Sequence, residues 1–154
     1  MKVLIIIPAY NEAQNIENVV ENLRNNYSMF DYVVINDGSQ DETAKICREN
    51  NYNLLDLPIN LGLAGAFQTG MKYAFYHDYD YAIQYDGDGQ HNPEYIEDMV
   101  KRAGEKELDI VIGSRFVTEK KPCSLRMIGN SLIEFCIYLT TGKKIKDSTS
   151  GMRL

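Results

Sequence analysis

The sequence contains no tryptophan, only two histidines and only three cysteines among its 154 residues. The cysteines stand at positions 47, 123 and 136, an odd number at wide spacing with no C-x-x-C pair. This pattern excludes a disulfide scaffold and, with so few histidines, a zinc cluster. No apolar run approaches the roughly 18 residues of a membrane span, and the run at 3–7 is too short for a secretory signal. We therefore expect a reduced, cytoplasmic protein.

Acidic and basic residues are divided unevenly along the chain. Residues 1–100 hold five Lys and Arg against 16 Asp and Glu, whereas residues 101–154 hold 11 against six, so the net charge of -6 describes neither part. The 44% hydrophobic and 25% charged composition is that of an ordinary globular protein, whose length suits one domain over 1–154. We expect no nucleic-acid partner.

Short apolar runs alternate with helical patterns from the N-terminus onward. The helical patterns have apolar residues at i, i+3, i+4 and i+7, as in 16–23, and recur over 64–76 and 95–103, the last with Asn92 as N-cap and Pro93 at the first position. The runs are typical of strands buried on both faces of a parallel sheet, and they lie at 3–7, 32–35, 52–57, 81–85 and 109–113. This alternation predicts an α/β fold with a mostly parallel sheet flanked by helices, and ligands beyond the carboxyl ends of the strands.

Polar residues collect after three of the predicted strands, at 8–12, 36–41 and 86–91. Turn formation and helix capping are an alternative explanation, particularly for Ser39 and Asp41. Asp86 and Asp88 are harder to explain in this way, because two nearby carboxylates repel each other unless a cation or hydrogen-bond donors neutralise them. Oxygen ligands of this kind suit a hard divalent cation. We therefore predict Mg2+ or Mn2+ here, with turn formation alone as the alternative.

A glycine-rich stretch, 60–66, follows the third predicted strand and opens a helix. Gly62 in this stretch would let the backbone approach a nucleotide, with the helix N-terminus facing a phosphate. Close packing of the helix on the sheet explains the glycines equally well. Both interpretations stay open at this point.

Five segments together resemble family 2 glycosyltransferases of the GT-A fold, and among them the polyprenyl-phosphate, dolichol-phosphate mannose synthase-like branch. The segments span the chain and read VLIIIPAYNE at 3–12, NDGS at 36–39, DGDGQH at 86–91, GSR at 113–115 and DSTSGMR at 147–153. The resemblance implies an enzyme that takes a sugar from a GDP- or UDP-sugar donor. It also implies a domain over 1–154 that stops short of its C-terminal end.

The resemblance also implies roles for individual residues. Those expected to bind the nucleotide sugar are Pro8, Tyr10, Glu12, Asp37, Gly62, Asp86 and Asp88. Those expected to hold the metal are Asp88, Gln90 and Asp86. Those expected to meet the acceptor phosphate are Arg115, Arg126, Asn130 and Arg153, and the catalytic set would be Asp88, Arg115 and Arg126. For each arginine, a surface position or a salt bridge is the alternative.

Three positions depart from the family pattern. Asn36 stands where many members have a first Asp, Leu63 stands where a basic residue is common, and Asn130 stands where some members have an acceptor-binding Ser. The departures leave the reaction class intact. They do weaken any prediction of which base or acceptor is used.

An apolar segment at 124–141 is flanked by Lys120, Lys121, Lys143 and Lys144. One hypothesis is a helix at the bilayer interface, where a lipid-phosphate acceptor enters and lysines meet anionic headgroups; the alternative is a core helix with solvated lysines. The sequence thus predicts an inverting, metal-dependent transfer to a polyprenyl phosphate at the cytoplasmic face of a membrane. The alternatives are transfer to a saccharide hydroxyl in surface polysaccharide assembly and a nucleotide-sugar-binding module without catalytic activity.

Overall fold

Helices and strands alternate along the chain in the computed structural model, which describes residues 1–86, 94–106, 108–113, 125–142 and 153–154. Side chains of residue 94 and residues 125–132 are outside this description. The elements in chain order are β1 (Val3–Ala9), α1 (Ile16–Asn26), β2 (Asp31–Asn36), α2 (Thr43–Glu49), β3 (Leu54–Asp56), α3 (Gly62–Tyr76), β4 (Tyr81–Gln84), α4 (Glu94–Lys106) and α5 (Leu125–Thr141). The predicted α/β class with a parallel sheet is confirmed.

The sheet has the strand order β3-β2-β1-β4, and all three pairings are parallel. The chain therefore moves outward from β1 through β2 to β3, and then crosses to the other side of β1 to form β4. A crevice opens where the order reverses, beyond the carboxyl ends of β1 and its neighbours, and ligands of open α/β sheets bind at such points.

Strand β1 lies at the centre of the core and is buried along its whole length. Because successive side chains of a strand point to opposite faces, Ile5 and Ile7 pack with residues of α1 and α4, whereas Leu4 and Ile6 pack on the α3 side. Two apolar layers therefore sandwich the sheet. This explains why β1 reads as a continuous apolar run.

Helix α3 approaches β1 closely at Gly70. A Cβ atom built at this position would lie 2.3 Å from Ile6 Cγ2, so any larger residue would have to push the helix away from the strand. The close approach brings the first turn of α3 to the carboxyl edge of the sheet.

Three sequence predictions differ from the structure. β3 is shorter than the predicted run and lies at the sheet edge, where its residues are only partly buried, so burial on both faces was wrong for this strand. Residues 109–113 form an isolated antiparallel bridge, Ile112 with Arg153, instead of a strand. Helix α2 was not predicted. The predicted cap of α4, Asn92 and Pro93, lies outside the described residues.

Candidate functional site

A pocket of about 280 Å³ lies at the carboxyl edge of the sheet, at the point where the strand order reverses. It collects residues from the ends of β1, β2 and β4 and from the first turns of α3. Its lining consists of Pro8, Ala9, Tyr10, Glu12, Asp37, Leu63, Ala66 and Asp86. Five of these residues, from three separate segments of the sequence, were predicted to bind a nucleotide sugar. The structure therefore brings the predicted donor residues to one cavity.

Asp37 is a buried and firmly held part of this pocket, with 3% of its surface exposed. Its backbone N–H donates to the Ala9 carbonyl at 2.8 Å, and its Oδ1 accepts the backbone N–H of Leu61 at 2.7 Å. The first bond ties the end of β2 to the end of β1, and the second ties it to the loop before α3. With Oδ1 engaged in this way, Oδ2 is the oxygen that can accept a ligand N–H or O–H.

Tyr10 and Glu12 reach the pocket from the loop between β1 and α1. Tyr10 is 45% exposed, so its ring has a free surface for a flat ligand group. The Glu12 carbonyl accepts the N–H of Ile16 at 2.9 Å, and its carboxylate accepts the Asn15 side-chain amide at 2.8 Å. Glu12 therefore lies against the start of α1 while it lines the pocket.

Asp86 is fixed by the residue that ends β4. The buried Gln84 donates from Nε2 to Asp86 Oδ1 at 3.1 Å, and its backbone N–H donates to the Arg153 carbonyl at 2.8 Å. Arg153 thus runs beside β4 and forms antiparallel bridges with Gln84 and Ile112. The C-terminal segment and the first carboxylate of the predicted metal motif are thereby joined through one glutamine side chain.

The predicted metal ligands lie largely outside the described residues. Asp86 is in the pocket, but Asp88 and Gln90 are not described, and among the described side chains no group of three metal-binding residues occurs. The residue types do fit a hard divalent cation, because all three offer oxygen atoms. Their joint role therefore stays a prediction.

The predicted acceptor residues are described only in part. Arg115 lies outside the described residues, and Arg126 and Asn130 lie in the first half of α5, where the backbone is described and these side chains are not. Arg153 is placed beside β4, as above. The acceptor site predicted from the sequence therefore stays a prediction.

Gly62 begins α3 with a φ of +74°, and no atom of the described residues lies within 4 Å of a Cβ built there. Close packing therefore explains Gly70 but not Gly62. Gly62 is not itself a pocket-lining residue, although the residue after it, Leu63, is. The open space at Gly62 leaves room for a ligand beside the first turn of α3.

Asn36, where many family members have Asp, is 2% exposed and donates from Nδ2 to Asp56 Oδ1 at 2.6 Å. Asp56 also pairs with Arg48 of α2. A carboxylate at position 36 would lie directly against Asp56, so the neutral amide suits this environment. Asn36 Oδ1 is buried and has no hydrogen-bond partner within the described part of the chain.

Sequence reasoning missed Ala9 and Ala66, which line the pocket, and Gln84, which holds Asp86. These residues carried no chemical signal of their own, because alanine and glutamine are common. The i, i+3 spacing of Leu63 and Ala66 at the start of α3 is the one pattern that points to a shared face.

Comparison with known proteins gives a family match and two curated relatives. Residues 4–154 match the family model described as Glycosyl transferase family 2. The chain is 35% identical over 172 residues to a protein of Methanococcus voltae named UDP-N-acetylglucosamine--dolichyl-phosphate N-acetylglucosaminyltransferase, covering 98% of this chain and 68% of that one. It is 30% identical over 164 residues to the undecaprenyl-phosphate mannosyltransferase of Micrococcus luteus, covering 99% of this chain and 65% of the relative. The chain thus spans about two thirds of the length of these curated relatives.

Among solved structures, the fold resembles that of the mannosyltransferase PcManGT from Pyrobaculum calidifontis in complex with GDP-Man and Mn2+. The TM-score is 0.63 at 22% identity, and the match covers 73% of this chain and 35% of that chain. At this identity the likeness establishes the fold alone, and it confirms the GT-A fold expected from the sequence.

Proposed function

Because the chain belongs to glycosyl transferase family 2, we propose that it transfers a sugar from a nucleotide-diphosphate sugar to a polyprenyl phosphate, with inversion at the anomeric carbon. Membership of the family confirms the resemblance carried by the sequence motifs. The observation that carries the proposal is the pocket at the carboxyl edge of the sheet. It gathers five side chains predicted to bind the donor from three separate segments of the sequence.

The donor nucleotide would occupy this pocket. Pro8 and Tyr10 offer apolar and aromatic surface to a base, and Asp37 Oδ2 offers an acceptor for a base or ribose N–H or O–H. Asp86 lies at the β4 side of the pocket, where the ribose and diphosphate would follow. The Methanococcus relative is named for UDP-N-acetylglucosamine, whereas the solved relative holds GDP-Man. We therefore propose a UDP- or GDP-sugar as the donor class.

A divalent cation, Mg2+ or Mn2+, would be held by Asp86, Asp88 and Gln90, whose oxygen atoms suit such an ion. The Mn2+ in the solved relative supports this choice. When bound, the cation would supply positive charge beside the diphosphate leaving group. Gln84 would keep Asp86 Oδ1 in place through its 3.1 Å hydrogen bond.

The acceptor would be a lipid monophosphate, as the names of both curated relatives indicate for those proteins. Its phosphate oxygen would form a bond to the anomeric carbon while the bond from that carbon to the diphosphate oxygen breaks, which inverts the configuration. A phosphate monoester has a second pKa of about 6, so it is largely ionised at neutral pH and needs no general base. Arg115, Arg126 and Arg153 would supply the cationic contacts, since guanidinium groups bind phosphate in a two-pronged geometry.

Helix α5 would meet the membrane that holds the lipid. Four large apolar side chains of its second half are about half exposed or more, and these are Ile133, Phe135, Tyr138 and Leu139. The one charged residue between 127 and 142 is Glu134, and the four flanking lysines carry the positive charge that attracts anionic headgroups. Within the described part of the chain, no helix combines the length and apolar character needed to cross a bilayer. We therefore propose that α5 lies along the cytoplasmic surface.

The donor site is tested by thermal stabilisation with a panel of UDP- and GDP-sugars, each with Mg2+ or Mn2+. We expect at least one nucleotide sugar to raise the Tm of the native protein, and Asp37→Asn and Asp86→Asn to remove most of this rise. Asp98→Asn is the matched control, because Asp98 is exposed on α4 and does not line the pocket. Equal stabilisation of native protein and Asp86→Asn would show that the site is assigned wrongly.

The acceptor is tested by transfer assays with a short polyprenyl phosphate, the corresponding polyprenol and a free saccharide. We expect product with the lipid phosphate alone, because the polyprenol lacks the ionised nucleophile. Transfer to the saccharide would favour a hydroxyl acceptor. Donor binding without transfer or hydrolysis would favour a binding module without catalysis.

Membrane contact is tested by co-sedimentation with anionic and neutral vesicles. We expect binding to anionic vesicles that falls when Lys120, Lys121, Lys143 and Lys144 are changed to Gln, and again when Phe135 and Leu139 are changed to Ser. Equal sedimentation of all variants would contradict the proposed role of α5.

A further inference from the structure

The loop between β1 and α1 is held in an uncommon conformation at the mouth of the pocket. It supplies Tyr10 and Glu12 to the lining, and between them Asn11 has a φ of +56°. This left-handed conformation is uncommon for residues other than glycine, although asparagine adopts it more readily than most, and here hydrogen bonds to the loop hold it in place. The position of two pocket residues therefore depends on what fixes this loop.

Three consecutive backbone N–H groups of the loop donate to two side chains of the next loop, between β2 and α2, and to the side chain of the first residue of α2. Asn11 donates to Ser39 Oγ at 2.9 Å, Glu12 to Thr43 Oγ1 at 2.9 Å, and Ala13 to Asp41 Oδ2 at 3.0 Å. We call the side chains of Ser39, Asp41 and Thr43 the loop clamp. In return, the Gln40 N–H donates to Asn11 Oδ1 at 2.8 Å.

Thr43 and Asp41 are hydrogen-bonded to each other within the clamp. Thr43 is fully buried, and its hydroxyl donates to Asp41 Oδ1 while it accepts from the Glu12 N–H. Asp41 Oδ1 also accepts the Thr43 N–H at 3.0 Å. Burial opposes ionisation of Asp41, but hydrogen bonds from Thr43 and from the Ala13 N–H outweigh it and lower its pKa. The carboxylate is therefore ionised, and it accepts all of these bonds at neutral pH.

The clamp also decides how the loop can contact a ligand. Successive backbone N–H groups that point the same way make a binding site for anions when they are free. Here the N–H groups of residues 11–13 are already satisfied by the clamp. The loop therefore meets its ligand through the side chains of Tyr10 and Glu12, whose positions the clamp fixes.

We propose that Thr43 and Asp41 are positioning residues for donor binding, acting through the loop that carries Tyr10 and Glu12. This inference rests on the proposed function, because the donor would occupy the pocket that Tyr10 and Glu12 line. Neither Thr43 nor Asp41 lines the pocket itself. Their loss should weaken donor affinity while leaving the chemistry of the bound substrate intact.

The test compares Thr43→Val, which keeps the shape but removes the hydroxyl, with Thr43→Ser, which retains it. We expect Thr43→Val to raise the Kd and KM for the nucleotide sugar about tenfold, the equivalent of 1.4 kcal/mol, with kcat changed by less than about twofold. Thr43→Ser should bind within about twofold of native protein. Amide hydrogen exchange at Glu12 should speed up in Thr43→Val and stay slow in Thr43→Ser.

Thr69→Val is the matched control, because the Thr69 hydroxyl donates only to the Gly65 carbonyl of its own helix, at 2.9 Å. It should leave donor affinity unchanged. If Thr43→Val does not fold, Asp41→Asn replaces it, since an amide cannot accept at both of its positions, and the same loss of affinity is expected.

Two outcomes would overturn the inference. The first is unchanged donor affinity in Thr43→Val or Asp41→Asn, whatever happens to the Tm. The second is a loss of donor affinity in Thr69→Val as large as that in Thr43→Val, which would indicate general destabilisation. These outcomes refute the positioning role alone when native protein binds the donor. Native protein that binds no UDP- or GDP-sugar would refute the proposed function, and this role with it.

Discussion

Alanine at position 38 should destabilise the fold more than alanine at other glycines of the same backbone conformation. Gly38 directly follows Asp37 and has a φ of +66°, and a Cβ built there would lie 2.7 Å from both the Asn60 nitrogen and the Ile59 carbonyl carbon. These are backbone atoms, which cannot rotate out of the way as a flexible side chain can. The loops that follow β2 and β3 therefore touch at a point where only glycine fits.

The magnitude follows from two separate costs. The left-handed conformation costs an alanine about 1–2 kcal/mol, and forcing extra volume into a packed site costs about 1–3 kcal/mol more. We therefore expect Gly38→Ala to lower the free energy of unfolding by about 2–5 kcal/mol. Because Ile59 and Asn60 lead directly to Leu61, whose N–H binds Asp37, donor affinity should fall as well.

Urea denaturation of three variants separates the two costs. Gly62 and Gly142 have φ values of +74° and +68°, and in the part of the chain that the structure describes nothing lies within 4 Å of a Cβ built at either. Gly62→Ala and Gly142→Ala should therefore lose only the conformational part, about 1–2 kcal/mol. If Gly38→Ala lost no more free energy of unfolding than these two controls, the loops would not approach each other as closely as described.

Other substitutions and a pH titration test the core and the buried polar groups. Gly70→Ala should lower the denaturation midpoint and reduce the free energy of unfolding by about 1–3 kcal/mol. The reduction should be smaller in an Ile6→Ala background, because the Ile6 Cγ2 atom that lies 2.3 Å from the added Cβ is then absent. Burial, with the nearby Asp56 charge, raises the pKa of Cys47 from 9.0 to about 11. Its unfolded thiol ionises first, so stability should fall as the pH rises from about 9 to 11, and Cys47→Ala should flatten that decline in chemical denaturation. Asn36→Asp should destabilise the protein by about 2 kcal/mol or more, because a buried carboxylate at position 36 would meet the Asp56 carboxylate. Adding Asp56→Asn should restore part of that loss in a double-mutant cycle, and no restoration would contradict the contact.

The parts of the fold that follow from local pattern could be predicted from the sequence. α1 places Ile16, Val19, Val20 and Leu23 on one buried face, as their spacing predicts, and the apolar run of β1 is buried throughout. α2 escaped prediction because it has only seven residues, of which Thr43 and Cys47 alone are buried, so no periodic signal forms. The segment at 109–113 has the composition of a strand, but only tertiary pairing decides whether it becomes one.

The candidate site, like the fold, could be predicted only in part. Asp37 and Asp86 could be predicted because carboxylates after buried strands are chemically conspicuous, and parallel strands bring their ends together. The partners of these residues could not be predicted, since the bonds from Leu61 to Asp37 and from Gln84 to Asp86 depend on how separate loops meet. Asp41 shows the limit most clearly. Its sequence context fits a helix cap, and it does accept the Thr43 N–H, but its other oxygen holds a loop distant in sequence.

The pairing of Arg153 beside β4 has a consequence for synthesis on the ribosome. β4 has β1 on one side, and on the other its Gln84 N–H is satisfied by the Arg153 carbonyl, while Leu154 exchanges hydrogen bonds with Val111. The sheet from β1 to β4 can form as soon as β4 has emerged, but among the described residues the pairing at its outer edge is completed only when Arg153 follows. Unpaired strand edges recruit other chains, and contacts distant in sequence form late. The Gln84 N–H at this edge therefore lacks its native partner for as long as residues 85–153 take to be made, and an edge in that state can recruit other chains.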